Sequence, residues 1–489
     1  MEIPRIAFRV GHGYTFDLEL RGPQFETHNL LVGALPKGQE TRAVFLGRPA
    51  EHGHGLPQKL VWLDTEGAHA VYVMGKRRSG KTYTLGVLAE GLASTGWIRR
   101  GALGQGILVL DTMNVFATSH HMVSDVFADD SPEVTELRRW RLDPERINMR
   151  YFYPRGSPRP PEGVSAEITI RPSDLDAEDW ARLFGADTYS DPQGQLIAEV
   201  YDKVAVDGYT ADTGIAVAAK EGYEIADLLG CLDSCPALQR FEQRTIEAVR
   251  RRLTAVERCG IFAAEGVTLQ DLIAVGQISV VLLRDADSDI RSLLVAVLVK
   301  RVMDLRSESD RYERLAAVCS KQLEALGEGS PRHTEIENKR TEYIGLAARG
   351  LPRAWIIIDE AHNYIPAKET LVSSRPLRKL VNEGRNLGLS IVVATQNPAA
   401  LDHSIRRNAD VLIIHSMSMR DDIAVAEGMV NTFLPDSLVC DDATVSTRAF
   451  EQLVRNLPLG YAVVSNDRFN RVFAMQVRPR LSIHGGVEY

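Results

Sequence analysis

From residue 59 onward the chain is punctuated by apolar runs without polar alternation: AVYVMG, GILVLDT, ISVVLLR, AWIIIDEA, SIVVAT and DVLIIHS. Runs of this kind are what strands covered on both faces look like, so they predict a mainly parallel sheet flanked by helices. Before them, residues 3–56 carry short alternating stretches (IAFRV, YTFDLEL, NLLVGAL, RAVFLG) broken by Gly and Pro, which predicts a small N-terminal β module over 1–58. EHGHGLPQ, at its end, reads as a linker. Between about 124 and 266 the pattern changes to amphipathic helices, among them SDLDAEDWARLFG, DPQGQLIAEVYDKVAV and FEQRTIEAVRRRLTAVERCGIF, so a largely helical insertion is expected. Lys321 to Arg349 has few apolar anchors and a Gly-Glu-Gly-Ser-Pro turn; it predicts a mobile surface loop.

Composition narrows the class. At 44% hydrophobic and 25% charged the chain is in the ordinary globular range, and no apolar run approaches the length that spans a bilayer. MEIPRIAFRV lacks the basic and apolar regions of a secretory signal, so a cytoplasmic protein without a membrane partner is expected. Cys231, Cys235, Cys259, Cys319 and Cys440 include no C-x-x-C pair and read as reduced thiols. A formal net charge of −8 argues against a protein that coats nucleic acid, but not against a ring whose positive charge lies only in its pore.

The chemistry is carried by a few short segments. Gly75-Lys76-Arg77-Arg78-Ser79-Gly80-Lys81-Thr82 fits G-x-x-x-x-G-K-[ST] between a predicted strand and a predicted helix. In such a loop backbone N–H groups wrap the phosphates of ATP, Lys81 reaches the β and γ phosphates, and Thr82 ligates Mg2+. Arg77 and Arg78 are left open between phosphate, a neighbouring subunit and water. Ala354 to Ile358 is a buried strand delivering Asp359 and Glu360, a Walker B pattern in which Asp359 holds the Mg2+ and Glu360 deprotonates the attacking water. His362 completes D-E-A-H as a structural or coupling residue. The run Ser390 to Thr395 ends in Gln396, the candidate sensor of the γ-phosphate, with a strand-end cap as the alternative. Arg385, just upstream, is the leading candidate for an arginine finger, with Arg406, Arg407 and Arg420 as rivals. Together these predict an α/β, RecA-like P-loop ATPase core over 59–489.

The order of these motifs resembles the HerA family of the HerA/FtsK superfamily. The resemblance runs from about Leu60 to the C-terminus and includes Gly106 to Asp111, Leu272 to Val281, and Glu383-Gly384-Arg385-Asn386-Leu387-Gly388 followed by VVATQNP. The ending from Val477 to Gly486, Val-Arg-Pro-Arg-Leu-Ser-Ile-His-Gly-Gly, looks like the tail with which HerA proteins close. The chain departs from the family where Asp111 is followed by Thr112-Met113-Asn114 rather than Pro-His-Gly-Glu, and in its short N-terminal module. The resemblance implies a homohexameric ring that threads double-stranded DNA, hydrolyses ATP between subunits as a translocase or helicase, and works with a separate nuclease or effector, as in some anti-phage modules. On this reading residues 472–489 are an inter-subunit tail, with a last edge strand of the same subunit as the alternative. The competing function is an ATP-binding hexameric scaffold that assembles and regulates an effector without moving DNA.

Overall fold

The computed structural model describes residues 6–7, 30–33, 41–50, 59–160, 162–258, 260–263, 269–326, 331–430, 438–440, 443–445, 449–466 and 471–485. Most of the N-terminal stretches, the linker at 51–58 and the last residues of the tail lie outside them.

A sheet of fourteen strands organises the chain. Its parallel centre runs Val411–Ile414, Ala70–Met74, Leu389–Thr395, Arg353–Ile358, Gln105–Asp111, Ile278–Leu282, Met149–Pro154 and Ser165–Ile168. Beyond Val411–Ile414 it turns antiparallel through Tyr461–Asn466, Arg471–Val477, Ala43–Pro49 and Val61–Asp64. Side chains alternate along each strand, and here both faces are apolar. Tyr72, Met74, Ile356 and Ile358 point into one core, whereas Val71, Val73, Trp355 and Ile357 point into the other. The first core is covered by the helices Ala177–Leu183, Pro192–Tyr201, Ile225–Ser234 and Gln243–Arg258, the second by Lys81–Ala93. Among the described residues no helix is long and apolar enough to cross a membrane.

Four expectations from the sequence need correction. Strands Leu30–Val32 and Ala43–Pro49 belong to the main sheet, so these parts of 1–58 are not a separate module, and Ile6–Ala7 pairs instead with Leu438–Cys440 in a small second sheet. The stretch 124–266 also gives two strands to that sheet, Met149–Pro154 and Ser165–Ile168, and is therefore woven into the core rather than inserted whole. Most of the described residues in 321–349 are helical rather than a loop: Ser288–Ala325 is one helix of 38 residues, and Pro331–Arg349 packs back along it. At 1.5 Å per residue the first spans roughly 57 Å. Its far half needs little core, because Tyr312 stacks on Tyr343 and pairs such as Arg314–Asp310 on this helix and Lys339–Glu335 on its partner lie at helical spacing.

The fourth correction concerns the tail. Arg471–Val477 lies between two strands of its own chain and is therefore not an edge strand. The next residues fold over the helix Lys81–Ala93, where Glu90 is fully buried. Arg478 Nη1 donates to Glu90 Oε2 (3.2 Å) and Arg480 Nε to Oε1 (3.0 Å), while the Leu481 and Ser482 amides and the Ser482 hydroxyl also donate to that carboxylate. Burial pushes Glu90 up, but the guanidiniums of Arg480 and Arg478 outweigh it and hold the carboxyl below its usual range. Gly86 makes the approach possible, since a Cβ there would stand 2.5 Å from the Arg480 guanidinium carbon.

A chain ending at Val477 leaves Glu90 buried without its cations. Removing one side of a buried ion pair costs about 3–5 kcal/mol, so such a chain, and equally Glu90→Ala, should unfold at markedly lower urea than the parent. A truncated chain with unchanged urea midpoint would return the tail to an inter-subunit role.

Candidate nucleotide site

The sheet order decides what meets at its carboxyl end. Leu389–Thr395 lies between Ala70–Met74 and Arg353–Ile358, so the loop leaving Met74, the acids after Ile358 and Gln396 emerge side by side. Gly75 and Gly80 bend the loop with φ of 158° and 105°, and the helix Lys81–Ala93 starts directly after. A side chain at Gly75 would collide with Ser79 Oγ (2.5 Å) and His415 Cβ (2.7 Å). The loop is moored from below by the Lys76 amide, which donates to the Ser416 carbonyl (2.8 Å).

Within the cradle, Lys81 is buried and its Nζ donates to the Lys76 carbonyl (2.9 Å). Burial pulls its pKa down, against the opposing pull of Glu360 and Asp359. Lys76, Arg77 and Arg78 are exposed, and Ser79 Oγ is buried with no hydrogen-bond partner among the described residues. An orphaned hydroxyl beside a ring of amides fits a site that receives phosphate oxygens.

Three carboxylates stand opposite. Asp359 is pushed up to about 7, first by burial and then by Glu360 and Asp111. Asp111 is pushed to about 6 by burial, although it accepts the amides of Phe116 (2.7 Å), Val115 and Met113 (3.2 Å each). Its amide contacts make it a fastener of the Thr112–Phe116 loop. Thr82 Oγ1 lies 3.4 Å from Asp359 Oδ2. A hydroxyl facing a carboxylate is a hard-oxygen donor set that suits Mg2+, and the neighbouring negative charge calls for such a cation.

Glu360 takes a left-handed backbone, φ 49°, which is uncommon for a residue with a side chain. Its carboxylate accepts the Gln396 side-chain amide and the Gln396 backbone N–H (3.3 Å). His362 Nδ1 is 3.4 Å from Glu360 Oε2 and 2.9 Å from Thr395 Oγ1. The geometry thus brings together Lys81, Thr82, Asp359, Glu360, Gln396 and His362.

Arg385 is not with them. It precedes the amino end of Leu389–Thr395, whereas Gln396 follows the carboxyl end, about 20 Å away at 3.3 Å per residue. There Nη2 of Arg385 donates to the Asn408 carbonyl (2.6 Å) and lies 3.0 Å from Asp410 Oδ1. A role in the cradle of its own chain is excluded by strand polarity. Arg406 and Arg407 sit on the short helix His403–Asn408 that leads back to the same end. Arg420 differs: it opens the helix Arg420–Met429 beyond the carboxyl end of Val411–Ile414, the P-loop end of the sheet, and is 78% exposed.

Sequence reasoning missed His415. Fully buried beneath the P-loop, its Nδ1 donates to the Tyr461 carbonyl (2.9 Å), so its Nε2 accepts the Thr84 hydroxyl (2.9 Å). Burial pulls it down to about 4, leaving a neutral ring under Gly75. The available signal was that DVLIIHS ends in polar residues as the other site strands do.

A parallel sheet with a further strand between the P-loop strand and the Walker B strand, and with these groups at its carboxyl end, defines a RecA-like P-loop fold. Residues 71–302 match the family model described as Helicase HerA, central domain, and residues 311–435 match the one described as zonular occludens toxin (Zot). Over the first span, slightly less than half of its length, the chain is similar to the central domain of HerA. No curated protein matches. Among solved structures, VirB4 of Thermoanaerobacter pseudethanolicus is 11% identical at a TM-score of 0.49, covering 89% of this chain and 96% of its own. Plasmid coupling protein TrwB in complex with ADP and Mg2+ is 14% identical at 0.48, covering 94% and 99%.

At the opposite end of the sheet, His69 is clasped by Asp410 (2.8 Å) and Asp64 (3.0 Å). Burial pulls it down, but the bonds to the two carboxylates win and raise it to about 9. The folded chain therefore holds a proton that the unfolded chain, near the ordinary 6.5, releases. This contribution is complete below about pH 6.5 and lost as pH rises through about 9. Urea midpoints should fall across that window, and His69→Gln should flatten the fall; an unchanged slope in the variant would exclude the clasp.

Proposed function

We propose that the chain is an ATP-hydrolysing motor that moves double-stranded DNA. One observation carries the ATPase reading: Lys81 and Thr82 from one strand end, Asp359 and Glu360 from a second and Gln396 from the strand between them converge on one point. In this proposal the amides of Gly75 to Lys81 and the N-terminus of the helix Lys81–Ala93 receive the phosphates, and Lys81 swings from the Lys76 carbonyl to the β and γ oxygens. Thr82 and Asp359 would hold Mg2+, which supplies charge neutralisation at the transferring phosphoryl group. Glu360, aimed by its left-handed backbone, accepts the proton of the attacking water. Gln396, which donates to Glu360, turns to the γ-phosphate when ATP fills the site.

The DNA part rests on the match of residues 71–302 to the central domain of the helicase HerA. By that kinship we assign a ring of six identical chains, with double-stranded DNA in its channel and a separate nuclease or effector acting on that DNA. Position favours Arg420 over Arg385 as the arginine offered to a neighbouring site, because it is exposed at the P-loop end of the sheet.

Lys81→Ala should lose ATP turnover, since no other side chain takes its place at the phosphates. Glu360→Gln should keep ATP bound while turnover falls by about 10²–10⁴-fold, the usual contribution of a positioned base. Filter binding and phosphate release check both; normal turnover in either variant overturns the site assignment.

Motor and scaffold separate in one assay. Turnover of the purified chain should rise when double-stranded DNA is added, with Arg420→Ala losing turnover at unchanged ATP binding. Hydrolysis indifferent to DNA of any length would favour the scaffold that organises an effector.

A further inference from the structure

Away from the nucleotide site, two histidines and a carboxylate meet at the surface. His120 and His121 end the loop that follows Asp111, and Glu162 stands in the turn before Ser165–Ile168. One oxygen of Glu162, Oε2, lies 2.7 Å from His121 Nε2 and 3.4 Å from His120 Nε2. The imidazole centroids are 4.0 Å apart. Two rings so close repel each other if both are protonated, whereas two neutral rings turn lone pairs toward a common point.

Tyr151 fixes which nitrogen of His120 carries the lone pair. Its buried hydroxyl donates to the Phe116 carbonyl (3.0 Å), so its oxygen is left to accept the Nδ1–H of His120 (3.1 Å). In the neutral ring Nε2, the atom facing Glu162, is then the unprotonated nitrogen. A partner that holds one ring N–H and turns the other nitrogen outward is the usual support of a metal-binding imidazole.

We propose that His120 Nε2, His121 Nε2 and the Glu162 carboxylate bind one divalent transition-metal ion of the zinc class. All three donor atoms lie within 4.8 Å of one another. Two imidazoles and a carboxylate suit zinc or cobalt(II) better than magnesium or calcium, and a fourth position remains for water or a further ligand. The ion joins segments that are far apart in sequence: the loop fastened by Asp111, the turn at Glu162 and the C-terminal tail. The tail is reached because the Ile483 amide donates to the His121 carbonyl (2.9 Å) and the Ser119 hydroxyl to the Ile483 carbonyl (3.0 Å).

The full chain, stripped with EDTA, is titrated with Co2+ alone and followed by visible ligand-field absorption, and then with Zn2+ as competitor. One equivalent of Co2+ per chain should give absorption that Zn2+ abolishes, and Zn2+ should raise the thermal midpoint. His121→Ala and Glu162→Ala should each weaken binding at least about 100-fold, and Tyr151→Phe about tenfold, as losing an outer partner does. Asp359→Asn, which takes a ligand from the nucleotide cradle, should bind Co2+ as the parent does, which separates this ion from one at the cradle. Circular dichroism verifies that each variant is folded. No absorption at saturating Co2+, or the same affinity in both folded ligand variants, overturns the site.

Discussion

The carboxylate of Glu90 is the point on which this half of the molecule depends. The helix that begins with Lys81 is buried around nearly its whole circumference, so it has no polar face through which an internal acid could reach water. Glu90 must find its cations inside, and they come from the tail: Arg478 also donates to the Phe45 and Val87 carbonyls, and Arg480 also donates to Ser119 and Ser482. The antiparallel strands, the P-loop helix and the loop after Asp111 are thereby tied to one carboxylate. Position of the phosphate-binding loop follows, because the helix it feeds has no freedom to shift.

The site itself is built on the opposite electrostatic problem. Asp111, Asp359 and Glu360 crowd negative charge at the end of two neighbouring strands, and Lys81 is the cation that faces the latter two. Burial and mutual repulsion hold Asp359 up to about 7. A site with this imbalance gains from a divalent cation, and amides offset part of the charge: those of Met113, Val115 and Phe116 donate to Asp111, and the side-chain amide of Gln396 to Glu360. The uncharged His415 beneath the loop fits the same balance, as a protonated ring there would add repulsion to Lys81.

What could be read from sequence followed from locality. Gly75 to Thr82, Asp359, Glu360 and Gln396 are each a strand end plus its next few residues, so composition and spacing suffice to find them, and the apolar runs gave the parallel centre of the sheet. Arg385 could not be placed from sequence, because nearness in sequence to the sensor strand says nothing about which end of that strand the residue occupies. The bond between Arg478, Arg480 and Glu90 was not legible, because the acid that buries them is hundreds of positions away. The helix pair over 288–349 was hidden by scarce apolar anchors, although its charged residues are strong helix formers. His415 needed the neighbouring strand to be seen at all.

The separation between Glu90 and Arg478, 388 positions, also sets an order of events during synthesis. At 5–20 residues per second the P-loop helix leaves the ribosome roughly 20–80 s before the arginines that neutralise it. Throughout that interval the nascent ATP-binding half carries a carboxylate it can neither bury nor leave paired, and its apolar helix stays uncovered on the side the tail will close. Consolidation of the nucleotide-binding core therefore waits on residues made hundreds of positions later, and until they arrive the cell must hold a long polypeptide soluble.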